Sequence, residues 1–190
     1  FEAILSSNIV GLYNLFEGCR KNGVKRVVWA SSNHAVGFYP RPRVIGTDAS
    51  PRPDSNYGLS KAFGENVSQY YWDKYGLETV SVRIGSCFPE PVDRRMLTTW
   101  LSYPDLVRLF ERALLAPRVE HTVIYGVSDN DMCLWDNTGA MHLGYRPRDN
   151  AEVFRAKVEA NTPPTRHDDL FVAVHGGGYA KAGHFDDPKD

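Results

Sequence analysis

Lys25-Arg26-Val27-Val28-Trp29-Ala30-Ser31, followed by Ser32-Asn33-His34, is the stretch on which the fold turns. Its first part is apolar and rich in β-formers, with Gly23 ahead of it and small polar side chains behind, the pattern of a strand buried in a parallel sheet. Upstream, Phe1, Ile4, Leu5, Asn8, Ile9, Leu12, Leu15, Phe16 and Cys19 recur at helical spacing until Asn22-Gly23. Downstream, a loop rich in Pro and Gly (residues 37–56) leads to a second helix over 57–75 closed by Gly76, and then to a strand over Glu78–Ile84. The pattern loosens through Pro89 and Pro91 and resumes as a helix over 104–116. A strand over His121–Gly126 follows, and then a helix over 149–160 with Asp149 placed to cap it. Strands alternating with helices of this length predict an α/β fold, a doubly wound parallel sheet whose ligands sit at the carboxyl ends of the strands.

Composition narrows the function. The 190 residues are 42% hydrophobic and 24% charged, the balance of one globular domain, and 22 basic against 23 acidic residues leave a net charge of −1. With no run of either sign, nucleic acid and anionic membrane are not expected partners. No apolar stretch approaches the roughly 18 residues of a membrane span. Cys19, Cys87 and Cys133 are odd in number and far apart, which predicts no disulfide framework and fits a reducing cytoplasm. His34, His121, His142, His167, His175 and His184 lack metal-ligand spacing, so no metal is expected.

At the predicted functional rim stand Ser31-Ser32-Asn33-His34 and Gly85-Ser86-Cys87. Ser and Asn at strand ends also serve simply to cap turns. Tyr57 and Lys61, four apart, share one helix face. A phenol titrates near pH 10, so using it as a base at neutral pH needs about 4 kcal/mol of help, which a fixed cation can partly supply. The spacing alone is weak: about 0.4 such pairs are expected by chance in a chain of this composition. Tyr70 and Lys74 form a second one on the same helix, about 140° around from the first. The earlier position of Tyr57, near the strand ends, favours it; Tyr70 is expected to pack or to meet a partner. Asn8, inside the apolar stripe of the first helix, is either a structural clamp or part of a site.

These residues carry a resemblance. Asn8-x-x-Gly11 with Asn14-Leu15, Val27-x-x-x-Ser31-Ser32, Pro53-x-x-x-Tyr57-Gly58-x-Ser60-Lys61 and Arg83-Ile84-Gly85 resemble, in order and separation, successive signatures of the extended short-chain dehydrogenase/reductases. Ser31-Ser32-Asn33-His34, Arg83-Ile84-Gly85-Ser86-Cys87 with Pro89-Glu90-Pro91, Arg95-Met96-Leu97, Trp135-Asp136-Asn137 and Pro147-Arg148-Asp149-Asn150-Ala151-Glu152 are similar to the uronate dehydrogenases within that family. The likeness runs from Phe1 to about Pro164.

The resemblance implies a Rossmann-type sheet, here its carboxy-terminal part, with substrate-binding segments near residues 86–117 and 128–164 and a tail over 165–190. It implies NAD as cofactor, contacted by Tyr57, Lys61 and Ile84, and oxidation of glucuronate or galacturonate at C1 to the aldarolactone. Tyr57, Lys61 and Ser32 would be catalytic. Ser32, Asn33, His34 and Ser86 would hold the sugar, and the planar guanidinium of Arg95 suits the uronate carboxylate. Arg94 is expected to be only a solvated charge. The family's glycine-rich phosphate loop has no counterpart: no G-x-x-G-x-x-G occurs in the sequence. Because Phe1 is not Met and resembles a position inside the family's fourth helix, the sequence is expected to lack the first part of the nucleotide-binding half. A homodimer through the first helix and the helix over 57–75 is implied as well, with Phe63, Val67, Tyr70 and Tyr71 expected to add apolar surface.

Two rival functions remain at this point, a nucleotide-sugar epimerase or dehydratase and a catalytically silent NAD-sensing regulator. Two motifs carry less. His175-Gly176-Gly177-Gly178 matches the oxyanion loop of lipases, but no G-x-S-x-G accompanies it, and it reads as flexible tail. Asn66-Val67-Ser68 is a formal glycosylation sequon in mid-helix without a secretion signal.

Overall fold

The computed structural model describes residues 1–164, 166 and 169–183. His167 and His184 lie outside the described residues. The sheet has three parallel strands in the order β1 (Arg26–Ser32), β3 (Glu78–Ile84), β6 (His121–Gly126), with β2 (Ile45–Gly46) intervening in sequence. Register aligns Ser32 with Ile84 and Ile84 with Gly126, so the three strands end at a common rim.

Alternating side chains feed two apolar layers, as period-2 strands require. Val27 and Trp29 pack with Phe16, Val67, Tyr71 and Leu77 beneath the first two helices. On the other face, Val80, Val82 and Ile124 meet Leu109, Ala113, Leu143 and Tyr145, largely from the Tyr103–Leu115 helix and the segment after it. Helices therefore cover both faces of the sheet, which is the doubly wound Rossmann-type arrangement. Short parallel pairs, β2 with β7 (Trp135–Asp136) and β4 (Ser86–Cys87) with β5 (Trp100–Leu101), brace the loops beyond the rim. Asn137 closes part of the β6 edge: its amide oxygen accepts from Tyr125 N at 2.8 Å and its nitrogen donates to Tyr125 O at 2.9 Å.

The structure refines several expectations. The first helix spans residues 2–21 but widens to a π-helix over Leu5–Gly11, and Asn8, at its centre, donates to Ser60 Oγ at 2.9 Å. Asn8 thus ties the first helix to the second. Val67 and Tyr71 are core residues, Tyr71 only 1% exposed, because they lie on the helix face turned toward Phe16 and Leu77. Tyr70 is 44% exposed and remains on the surface. Asp149 caps no helix. It holds Ser102 and Arg108, while Asn150 caps the 3-10 turn Ala151–Phe154 that precedes the helix Arg155–Asn161. Arg94 is not simply solvated: it pairs with Glu159 and donates to the Thr162 carbonyl. The segment from Asp169 to Lys181 is built structure rather than flexible tail. It has short helices at Leu170–Ala173 and Gly178–Lys181, and Val174 bridges to Pro40.

Candidate active site

The rim after β1 is shaped by Ser32, whose side chain accepts the His34 N–H at 3.2 Å and starts a 3-10 turn over Asn33–Val36. The helix that carries Tyr57 and Lys61 runs over Asn56–Tyr75 and is capped by Ser55, whose Oγ accepts from Gly58 N at 3.0 Å. Tyr57, the second residue of that helix, lies against the rim, 5.9 Å from the His34 ring centre to centre, with Ser32 close enough to act on its phenol. Lys61 Nζ donates to the Ala30 carbonyl at 2.8 Å and stands 5.3 Å from the Tyr57 ring centre. Ser32, Tyr57 and Lys61 therefore share one site. Tyr70 does not enter it: its hydroxyl accepts from Lys74 at 3.1 Å near the far end of the helix.

Burial pushes the Tyr57 phenol above its ordinary value, with the nearby Ser32 hydroxyl opposing, and burial holds the Lys61 ammonium below its own. Both directions follow from the cost of charge in a half-buried site.

His34 donates or accepts through Nδ1 at 2.8 Å from Asp54 Oδ2, and the carboxylate has no solvent exposure. An ionised Asp54 only accepts, so it selects the Nδ1–H tautomer and leaves Nε2 as an acceptor when the ring is neutral. Asp54 fills space that two glycines leave open. A Cβ at Gly37 or at Gly176 would stand 1.8 Å from Asp54 Oδ2.

On the far side of the rim Arg95 is partly buried against Ser86, Asn33 and His175. Its Nη1 lies 3.4 Å from Ser86 Oγ, and its Nε and Nη2 donate to the His175 carbonyl at 3.2 and 2.6 Å. Asn33 is satisfied with its amide oxygen toward Arg95 Nη2 and its nitrogen toward the Ile84 carbonyl, 3.0 Å each. Asn33 and Ile84 therefore brace Arg95 across two strand ends. Ser86 Oγ also meets Thr99 Oγ1 at 2.9 Å. Among the described residues no carboxylate pairs with Arg95, and burial pulls its guanidinium below the usual range. The expected two-pronged fork is narrowed, because the Nε–Nη2 edge is already occupied and the Nη1 side remains.

Sequence reasoning missed Asp54 and the segment 174–181. Asp54 carried only the signal of a turn residue before a helix. The Gly-rich segment carried no periodicity at all, although its His175 is 2% exposed and Tyr179 packs against the His34 ring, tilted by 31° at 4.0 Å between centres.

Residues 2–118 match the model of the NAD dependent epimerase/dehydratase family. The chain belongs to that family. A uronate dehydrogenase of Pseudomonas syringae pv. tomato is 54% identical over 187 residues, covering 98% of the chain and 68% of that protein. The crystal structure of glucuronic acid dehydrogenase from Chromohalobacter salexigens superposes with a TM-score of 0.95 at 48% identity, covering 97% of this chain and 70% of that one. A variant of uronate dehydrogenase from Agrobacterium tumefaciens, complexed with NAD, superposes with a TM-score of 0.93 at 48% identity, over 96% and 69% of the two chains. The chain thus spans about two thirds of the length of these relatives. Tyr57, Lys61 and the Ile84 strand end lie on the same side of the rim as Ser32. A groove of about 360 Å³ beside Lys61, lined by Asn8, Gly11, Leu12, Leu15, Trp29 and Ser60, has room for a cofactor fragment. The 190 residues contain no glycine-rich phosphate cradle.

Proposed function

We propose that this chain carries the catalytic and sugar-binding part of an NAD-dependent dehydrogenase that oxidises glucuronate or galacturonate at C1 to the aldarolactone. The observation that carries the reading is Arg95, a part-buried guanidinium at the rim whose hydrogen bonds among the described residues all go to neutral groups. Drawing a charge partly out of water with no carboxylate bonded to it is costly, and a ligand carboxylate would supply one at the Nη1 side. The 54% identity to a uronate dehydrogenase supports the same substrate class.

Tyr57, as phenolate, removes the proton of the C1 hydroxyl. Lys61, held by the Ala30 carbonyl, places a positive charge beside the phenol. Ser32 orients the reacting hydroxyl, and His34 Nε2 accepts from a sugar hydroxyl. When bound, NAD supplies the acceptor for the hydride that leaves C1 and a cationic ring that favours the phenolate. Tyr57, Lys61 and the Ile84 strand end would hold its nicotinamide ribose portion.

We also propose a homodimer through the first two long helices, whose outer faces expose Tyr13, Tyr70 and Tyr75. A reducing compartment such as the cytoplasm suits the three free cysteines.

The test is NADH formation with glucuronate, galacturonate, glucose and UDP-glucuronate, for the unaltered protein and for Arg95→Ala. Loss of a charge-assisted contact worth about 1.5–3 kcal/mol lowers kcat/KM for the uronates by roughly 10- to 150-fold and leaves any weak glucose activity unchanged. Equal losses on both sugars would remove the carboxylate role. Turnover of UDP-glucuronate instead would assign the epimerase or dehydratase reading, and NAD binding without any turnover the silent regulator.

A further inference from the structure

The segment 174–181 crosses the rim and touches three groups of the site at once. The His175 carbonyl caps the Nε–Nη2 edge of Arg95. Gly176 lies against the Asp54 carboxylate that orients His34, at a separation only glycine permits. Tyr179 lays its ring on His34 and comes within 5.9 Å of Tyr57, ring centre to ring centre. Gly177 turns the chain between these contacts with φ of +60°, and a Cβ there would meet the Arg95 side chain at 2.6 Å.

One side chain pins the segment down. Trp135 Nε1, which can only donate, reaches His175 Nδ1 at 2.9 Å, and His175 Nε2 lies 2.9 Å from the Arg43 carbonyl, which can only accept. These partners select the neutral ring with its hydrogen on Nε2. Backbone bonds from His175 N to Tyr39 O and from Gly176 N to Gly37 O complete the attachment.

We propose that residues 174–181 form a strap belonging to the substrate site, and that His175 is a positioning residue that aims Arg95 at the substrate carboxylate. The carbonyl of the strap holds one edge of the guanidinium and turns the Nη1 side toward Ser86. The idea rests on Arg95 receiving a uronate, as set out above. Glutamine can accept and donate at the two positions the imidazole uses; phenylalanine fills the space and does neither.

The protein is compared with His175→Phe and His175→Gln by hydrogen exchange over residues 170–183 without ligand, and by kinetics on glucuronate and glucose. Exchange in the strap rises in the Phe variant and stays near the unaltered rate in the Gln variant. KM for glucuronate rises about 10-fold in the Phe variant with kcat within about threefold, glucose suffers a several-fold smaller loss because it shares only the contacts made through His34, and Gln restores the uronate KM. An unchanged KM, a lower KM (the strap carbonyl competing with the carboxylate) or equal losses on both sugars would overturn the proposal. If the unaltered protein oxidises no uronate, the substrate reading fails on its own, while the exchange comparison still decides whether His175 anchors the strap.

Discussion

Tyr57-Lys61 and Tyr70-Lys74 sit on one helix with one spacing, and their surroundings separate them. Tyr57 is half-buried against Ser32 and His34, whereas Tyr70 is exposed with Lys74 and Tyr75. The charge preferences run opposite to a simple expectation. Bonds from Tyr75 and Lys74 lower the Tyr70 phenol, and the bond to Tyr70 raises the Lys74 ammonium; burial raises Tyr57 and lowers Lys61. Judged by pKa direction alone, the surface pair looks better activated. It faces no rim, no Ser32 and no strand end. A catalytic group is chosen by what its proton can reach, and geometry comes before pKa.

The comparison is broken most directly by removing each hydroxyl. Tyr57→Phe lowers kcat on glucuronate by about 10²- to 10⁴-fold, the usual contribution of a positioned acid or base, while Tyr70→Phe leaves it within about twofold. Steady-state kinetics on both variants checks this. A comparable loss in both would mean that the far end of the helix takes part in chemistry or in an assembly the chemistry needs.

How much of this was legible in the sequence follows from the range of each interaction. The three long strands announced themselves as short apolar runs rich in β-formers, and the helix over 57–75 through Gly76 at its end; its Ser55 cap came from the structure. Tyr57 and Lys61 were readable because both lie on one element. The Ser86–Arg95 cluster was readable only through likeness to a family. Asp54, His175 and Tyr179 escaped, because what fixes them is contact across a long stretch of chain: His175 meets Arg43, Trp135 and Arg95, and no periodicity in a Gly-rich run encodes that. Val67 and Tyr71 were assigned to the surface because apolar side chains around a helix do not say which of them meets the sheet.

The strap supplies a second contrast with the exposed end of the helix. Burial, with the nearby Arg41 and Arg95 charges adding and the Arg43 carbonyl opposing, pulls His175 down to about 4. An unfolded chain takes up that proton near pH 6.5, so as pH falls the unfolded state binds more protons than the folded one and stability drops. The loss begins near pH 6.5, grows toward pH 4 and amounts to at most about 3 kcal/mol. Hydrogen exchange between pH 7 and 4.5 shows residues 170–183 opening first, with the segment around Tyr70 unchanged. His175→Gln, which has nothing to titrate, flattens the dependence. A slope equal to that of the unaltered protein would place the acid sensitivity elsewhere.

The smallest effect tests whether Tyr57 depends on its place at the start of the helix. Ser55 accepts from Gly58 N and donates to Asp54 Oδ1 at 2.9 Å, so Ser55→Ala removes a cap and one bond to the carboxylate behind His34. Losing such a cap costs about 1 kcal/mol, a fall in Tm of about 2–4 °C for a domain of this size. Tyr57 also lies against the rings of His34 and Tyr179, contacts that the cap does not make. The expected outcome is therefore a lower Tm with kcat/KM on glucuronate within about twofold, read by thermal denaturation and kinetics on one preparation. A fall in kcat/KM beyond about tenfold, with Tm lowered by the same few degrees, would mean that the first helical turn itself sets the phenol position, and that the contrast with Tyr70 owes more to capping than to the rim.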